Sequence, residues 1–285
     1  MIMNELHVGR GTTRGAMTVF PLWAATSGRR RYSMGAQTLY LSEVDGSPDV
    51  STLMVGNIGD RPVLVLEGQL FEGGWQHRMS VASTMIGVHQ RIPVQVACVE
   101  KGRWGGGVRQ SSRGRRVTPY VHDSVRHGGD VQGEVWRRVA SHTGDIDNPT
   151  GSFVRRLDQA DHERETWSDL RPMPGQCGVL IGIGGQPYVA EVFDSQPRLR
   201  SQLPALLEAA ALDARLAPAV ETPSRRARRF VERLDHIRLG DPVPAGIAER
   251  VRAVTAHADV ACLRWQGHPV HTRATHIRHP MLVAA

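Results

Sequence analysis

Short apolar runs punctuated by polar and turn residues dominate the first hundred residues. The segments "MTVFPLW" (17–23), "STLMVGN" (51–57), "RPVLVLEG" (61–68), "QHRMSVAST" (76–84) and "RIPVQVACVE" (91–100) are rich in Val, Leu and Ile and are separated by Gly, Asp, Asn and Pro, which predicts strands. From 101 to 130 the apolar pattern fades. "KGRWGGGVRQSSRGRRVTPYVHDSVRHGGD" is rich in Gly, Arg and Ser, which predicts a long loop of the functional or mobile kind.

Helical spacing takes over afterwards. Val131, Val135 and Val139 lie four apart in 130–143, and Phe153 and Leu157 share a side in 149–170. The stretch 177–195 predicts a hairpin turning at Gly184, Gly185 and Gln186, with Asp194 and Ser195 placed to cap a helix over 196–216. Helices are also predicted over 222–239 and 244–257, and a second hairpin over 259–277. The two hairpins share a motif, "GGQPYV" and "QGHPVH", which an internal duplication and convergent Gly-Pro turns would both produce.

These elements predict an α+β fold: one domain, 1–285, with an antiparallel β-rich N-terminal half (1–100), the 101–130 loop, and a C-terminal half of helices and two β-hairpins (131–285). Composition fits a folded chain, with 285 residues, 40% hydrophobic and 22% charged. No apolar stretch is long enough to span a membrane, and the opening "MIMNELHVGRGTTRG" lacks the apolar core of a signal peptide. The expectation is a cytoplasmic bacterial protein with no membrane partner. Cys98, Cys177 and Cys262 are far apart and form no C-x-x-C pair, so they are expected to be reduced and mostly buried. The net charge of +7 is carried almost wholly by arginine, Lys101 being the only lysine. Such a skew follows codon composition as readily as a nucleic-acid partner, so nucleic-acid binding ranks low among the expected partners.

Candidate chemistry concentrates in "EGQLFEGGWQHR" and "CVEKGRW". If 62–67, 76–84 and 91–100 form a simple antiparallel meander, Glu67, Gln76, Arg78 and Glu100 arrive at one sheet edge beside two glycine-rich turns. Outer strands of such a meander lie roughly 10 Å apart, so an arginine between two glutamates reaches either. Glu67 and Glu100 are then candidate acid/base or ribose-binding groups, Arg78 and Arg103 candidate phosphate binders, and Gln76 an orienting amide. Trp104, with Trp75, offers a stacking surface. The same convergence equally describes a structural salt bridge that registers the hairpin. His77 alternates away from Gln76 and Arg78 and reads as a surface histidine, and Cys98 reads as a core thiol. The thirteen histidines show no metal-ligand spacing, and "GIGGQP" sits in a hairpin rather than a strand-to-helix turn.

Taken together, "RPVLVLEGQLFEGGWQHRMSV", "IPVQVACVEKGRW", "QGEVWRRVA", "NPTGSF" and "PGQCGVLIGIGGQPYVAEVFDS" resemble the bacterial ARG-, rhodanese- and phosphatase-associated protein domain family, from about residue 5 to 275. Gln76, Arg78, Cys98, Glu100, Gly102, Arg103 and Trp104 keep the family pattern. Trp75 replaces the usual base and His77 the usual asparagine. By association, the resemblance implies a role near ADP-ribose, NAD or phosphoester metabolism, and it supplies no reaction and no cofactor. The leading expectation is therefore a nucleotide- or ADP-ribose-related small-molecule site around 67–104. A non-enzymatic module for a protein partner is the alternative. Nucleic-acid binding through the 101–116 arginines and the 224–238 helix is the third.

Overall fold

The structure is a computed structural model and describes residues 6–25, 30–44, 49–107, 109–126 and 128–283. The chain forms two compact units, residues 31–162 and residues 1–30 with 163–285. Antiparallel sheets and helices make up both, so the fold is α+β.

The first segment contributes β1 (His7–Val8), β2 (Thr12–Arg14) and β3 (Met17–Trp23). Then come β4 (Leu39–Ser42), β5 (Thr52–Asn57), β6 (Val63–Val65), β7 (Leu70–Gly73), β8 (Arg78–Ser80), β9 (Thr84–Ile86), β10 (Arg91–Cys98) and β11 (Arg109–Ser111). Three helices follow, α1 (Pro119–Asp123), α2 (Val131–Thr143) and α3 (Phe153–Asp158). Thr118, Asp130 and Ser152 cap them, each accepting a backbone N–H from three residues on.

Six strands of the 31–162 unit close into an antiparallel barrel in the order β10-β5-β4-β11-β7-β8. Residues opposite one another in a ladder share a face. The pairs Leu53 with Val94, Val55 with Leu41, Leu41 with Gln110, Val96 with Ser80, Cys98 with Arg78 and Phe71 with Arg78 therefore define one continuous inner surface. Most of it is apolar. Leu41, Leu53, Val55, Phe71, Val94 and Val96 pack there, joined by Val63, Val65 and Ile86 from a two-stranded β6–β9 ribbon. The other end of the same surface is polar, where β4, β8, β10 and β11 bring Glu43, Arg78, Cys98 and Gln110.

This arrangement corrects the expected meander. The 61–68 strand ends at Val65 and pairs with β9, while β7 takes its place beside β8. Gly68, at φ +76°, turns the chain between the two. The expected 76–84 strand is likewise two strands, β8 and β9, in different sheets. The 101–130 stretch is not a bare loop either, since it holds β11 and α1.

After α4 (Asp161–Thr166) come β12 (Gly178–Ile183), β13 (Gln186–Phe193), α5 (Gln196–Ala214), α6 (Ser224–Leu234), β14 (Val243–Ala245), β15 (Ala248–Val254), β16 (Ala258–Trp265), β17 (His268–His276) and α7 (Pro280–Val283). The large sheet runs β1-β3-β12-β13-β17-β16-β15-β14, with β2 on β3. Both expected hairpins form, and they meet edge to edge through β13 and β17. Ser195 occupies the N-cap of α5, but its hydroxyl donates to Asp194 rather than accepting from the helix. β3, from the β-rich N-terminal stretch, pairs with β12 of the first C-terminal hairpin, so one sheet draws strands from both ends of the sequence.

The expected helix over 244–257 is also a correction. Ala248 and Val251 are buried three residues apart, which imitates helical spacing, yet they lie on β15, next to the sheet edge.

Candidate functional site

The polar end of the barrel centres on Arg78, whose side chain is 0% exposed. Its position on β8, opposite Cys98 on β10 and Phe71 on β7, points it inward. Nη1 donates to Glu43 Oε2 at 2.9 Å and to the Thr52 carbonyl at 3.5 Å. Gln110 joins from β11, its Nε2 donating to Glu43 Oε1 at 3.4 Å and to the Gln76 carbonyl at 3.3 Å. Gln76 donates to the Glu100 carbonyl at 3.0 Å.

Four buried polar atoms of this cluster have no partner among the described residues: Arg78 Nε and Nη2, Gln76 Oε1 and Gln110 Oε1. A buried group left in that state costs about 1–3 kcal/mol, more when charged. The Nε–Nη2 edge of a guanidinium is also the edge that binds a carboxylate or phosphate through two parallel hydrogen bonds. The cluster thus presents a two-donor fork beside two amide acceptors.

A second group of contacts builds the rim. Glu100 Oε2 accepts from Arg103 Nε at 2.9 Å and from the His77 N–H at 3.1 Å, and Oε1 accepts from the Thr150 hydroxyl at 3.0 Å. Burial alone would raise the Glu100 carboxyl; these donors and the neighbouring charge outweigh it and hold it below the ordinary carboxylate value. Arg103 also donates to the Gly74 carbonyl at 2.8 Å, tying the 73–74 turn to the 100–105 segment. Trp75 and Trp104 meet edge-on, 5.3 Å between ring centroids, and Trp104 is 51% exposed. Gly74, at φ +59°, lies so close to Gln110 that a Cβ would fall 2.4 Å from its Cγ.

Glu67 has a different neighbour on its carboxylate. It lies beside His122, at 3.9 Å, and its backbone N–H donates to Ser83. Of the residues expected to converge, Gln76 and Arg78 lie inside the barrel end, Glu100, Arg103 and Trp104 on its rim, and the Glu67 carboxylate beside His122. The strand swap described above is the reason. His77 is half-buried rather than a solvated surface residue: Nδ1 accepts the Gly73 N–H at 2.9 Å, and burial lowers the pKa of the ring. Cys98 is buried, and burial raises the pKa of its thiol.

Residues 5–275 match the family described as the ARG and Rhodanese-Phosphatase-superfamily-associated Protein domain. The chain belongs to this family. No curated protein and no solved structure matches it. In this ARG and Rhodanese-Phosphatase-superfamily-associated Protein domain, two residues of the barrel end were not anticipated from the sequence, Glu43 and Gln110. Glu43 had a signal: "LYLSE" places it in period two with Leu39 and Leu41. Gln110 had none, since "GGGVRQSS" carries no strand pattern.

Proposed function

We propose that the polar end of the barrel binds a small anionic ligand of the nucleotide or ADP-ribose class. The observation that supports this is the buried Arg78 guanidinium, held on one side by Glu43, with its Nε–Nη2 edge unpartnered among the described residues and the oxygens of Gln76 and Gln110 unpartnered at the same barrel end. A phosphate on that edge satisfies both donors, and hydroxyl or amino groups satisfy the two amide oxygens. Trp104, with Trp75 against it, offers an aromatic face at the rim, and Gly105 to Gly107 offer backbone close by. Glu100 and Arg103 act in this reading as positioning residues that fix the rim, because the Glu100 carboxylate is fully engaged. The Glu67 carboxylate lies beside His122, so the proposal is binding rather than a two-carboxylate reaction.

The test is a thermal-shift screen with AMP, ADP-ribose, NAD, adenosine and inorganic phosphate, run on the wild type and on Arg78→Lys. Lysine keeps a positive charge for Glu43 and removes the fork. A ligand at a hundredfold excess over Kd adds about 2.7 kcal/mol of stability. Stabilisation by AMP or ADP-ribose but not adenosine, lost in Arg78→Lys, is the expected result. No shift with any of the five, or an equal shift in Arg78→Lys, overturns the reading.

A further inference from the structure

Two arginine-rich stretches, 101–116 and α6, differ in their surroundings. Arg103, Arg113, Arg115 and Arg116 are engaged by the protein itself. Arg103 is bound to Glu100, Arg113 and Arg115 to Glu72 and Asp158, and Arg116 to the Glu67 carbonyl. On α6, Arg226 donates to the Gly185 carbonyl, whereas its other four arginines have no carboxylate partner among the described residues.

The inner face of α6, made by Ala227, Phe230, Val231 and Leu234, packs into the core of its sheet against Phe20, Leu22, Leu180 and Ala190. Its outer face carries Arg225, Arg228, Arg229 and Arg233, all exposed, with Glu232 the only acid of the helix. Arg225, Arg229 and Arg233 recur every fourth residue, so they form a row with steps of about 6 Å. No carboxylate among the described residues pairs with any of these four.

The residues that follow α6, 235–240, line one side of a cleft of about 880 Å³. Arg238, Arg264, His236 and His268 line it, and Asp235 is its one carboxylate. Asp235 turns Oδ1 into the protein, where that atom is buried. Burial raises the pKa of this carboxyl. No Phe, Tyr or Trp lines the cleft.

We propose that the arginine face of α6 and the adjoining cleft bind the phosphate backbone of duplex nucleic acid, without reading its sequence. Guanidinium forks match phosphate oxygens, and an evenly spaced row suits a repeating anion better than a single one. With the apolar face of α6 already in the core, no face remains to enter a lipid surface. The absence of aromatic rings from the cleft favours a duplex over a single strand, which would need a platform for its bases. This proposal is independent of the barrel-end reading.

Fluorescence anisotropy of the full chain with labelled duplexes of unrelated sequence, over a series of salt concentrations, tests it. Single-stranded DNA and phosphatidylserine vesicles are the competitors. The expected result is similar affinity for every duplex, falling linearly in a log–log plot against salt. The Arg225→Gln/Arg229→Gln/Arg233→Gln variant, changed only at exposed positions, should lower that slope by about 2.7, from about 0.9 per phosphate contact. Arg238→Gln/Arg264→Gln should weaken binding independently. Failure to bind duplex at about 50 mM salt, unchanged affinity in the triple variant, or preference for single strands or vesicles overturns the proposal.

Discussion

Arg78 and Glu43 meet at 2.9 Å inside the barrel, with side chains 0% and 7% exposed. The pair joins β8 to the end of β4, strands that are not neighbours in the barrel, so it fixes the polar end across its width. Removing one partner of such a pair leaves a buried charge uncompensated, which costs about 3–5 kcal/mol. Arg78→Ala should therefore destabilise the protein by about that amount in urea denaturation. Arg78→Met combined with Glu43→Gln should recover more than half of the loss. Wild-type stability in Arg78→Ala would show that the pair is not buried in solution.

Glu100 links stability to acid. Its carboxyl is held below the ordinary value of 4.5, so in that range the unfolded chain binds more protons than the folded one. The associated stability is present above the ordinary value and is lost as pH falls through the lowered one. Denaturation midpoints from pH 7 to pH 3 should drop more steeply in the wild type than in Glu100→Gln. Parallel curves would remove Glu100 from the acid response.

His279 supplies a second, separable pH dependence. It is buried against Tyr188, its Nε2–H donates to the Ile183 carbonyl at 3.0 Å, and burial lowers its pKa from 6.5 to about 4. Here too the unfolded state takes up the proton first as pH falls. Stability should be complete above pH 6.5 and decline towards pH 4. In His279→Gln that decline should be smaller, at the expense of lower stability at pH 7.

Gly74 is required twice, by its φ of +59° and by the 2.4 Å approach of Gln110. Gly74→Ala should cost about 1–3 kcal/mol from backbone strain. It should also push Gln110 away from Glu43 and abolish any nucleotide-induced thermal shift. A stable Gly74→Ala protein with an intact shift would place the ligand away from Gln110.

Much of the fold was legible because local pattern decided it. The 17–23 strand, the 130–143 helix and both hairpins follow from a short continuous apolar run, period 3.6 and glycine turns. What was not legible depended on partners distant in sequence. Nothing local says that Val63–Val65 pairs with Thr84–Ile86 while Leu70–Gly73 takes the place beside Arg78, or that β3 joins strands more than 150 residues later. The 244–257 segment misled because β15, next to the sheet edge, buries only one residue in three there. For the site, Gln76 and Arg78 were identified together from their shared face, and the structure keeps them at one end of the barrel. Glu67 was drawn in by the assumed meander, and its carboxylate lies beside His122. Glu43 was readable from its alternation with Leu39 and Leu41, whereas Gln110 becomes visible only when the barrel closes.

The most direct measurement is isothermal titration of ADP-ribose into the wild type, Arg78→Lys and Gln110→Leu, with the melting temperature of each recorded alongside. The account predicts one site per chain in the wild type. It also predicts at least a tenfold weaker Kd in Arg78→Lys, about 1.4 kcal/mol, with Gln110→Leu weakened as well and all three proteins folded. Equal Kd values in the three folded proteins, or no heat of binding in the wild type, would contradict the claim that the polar end of the barrel is a ligand site.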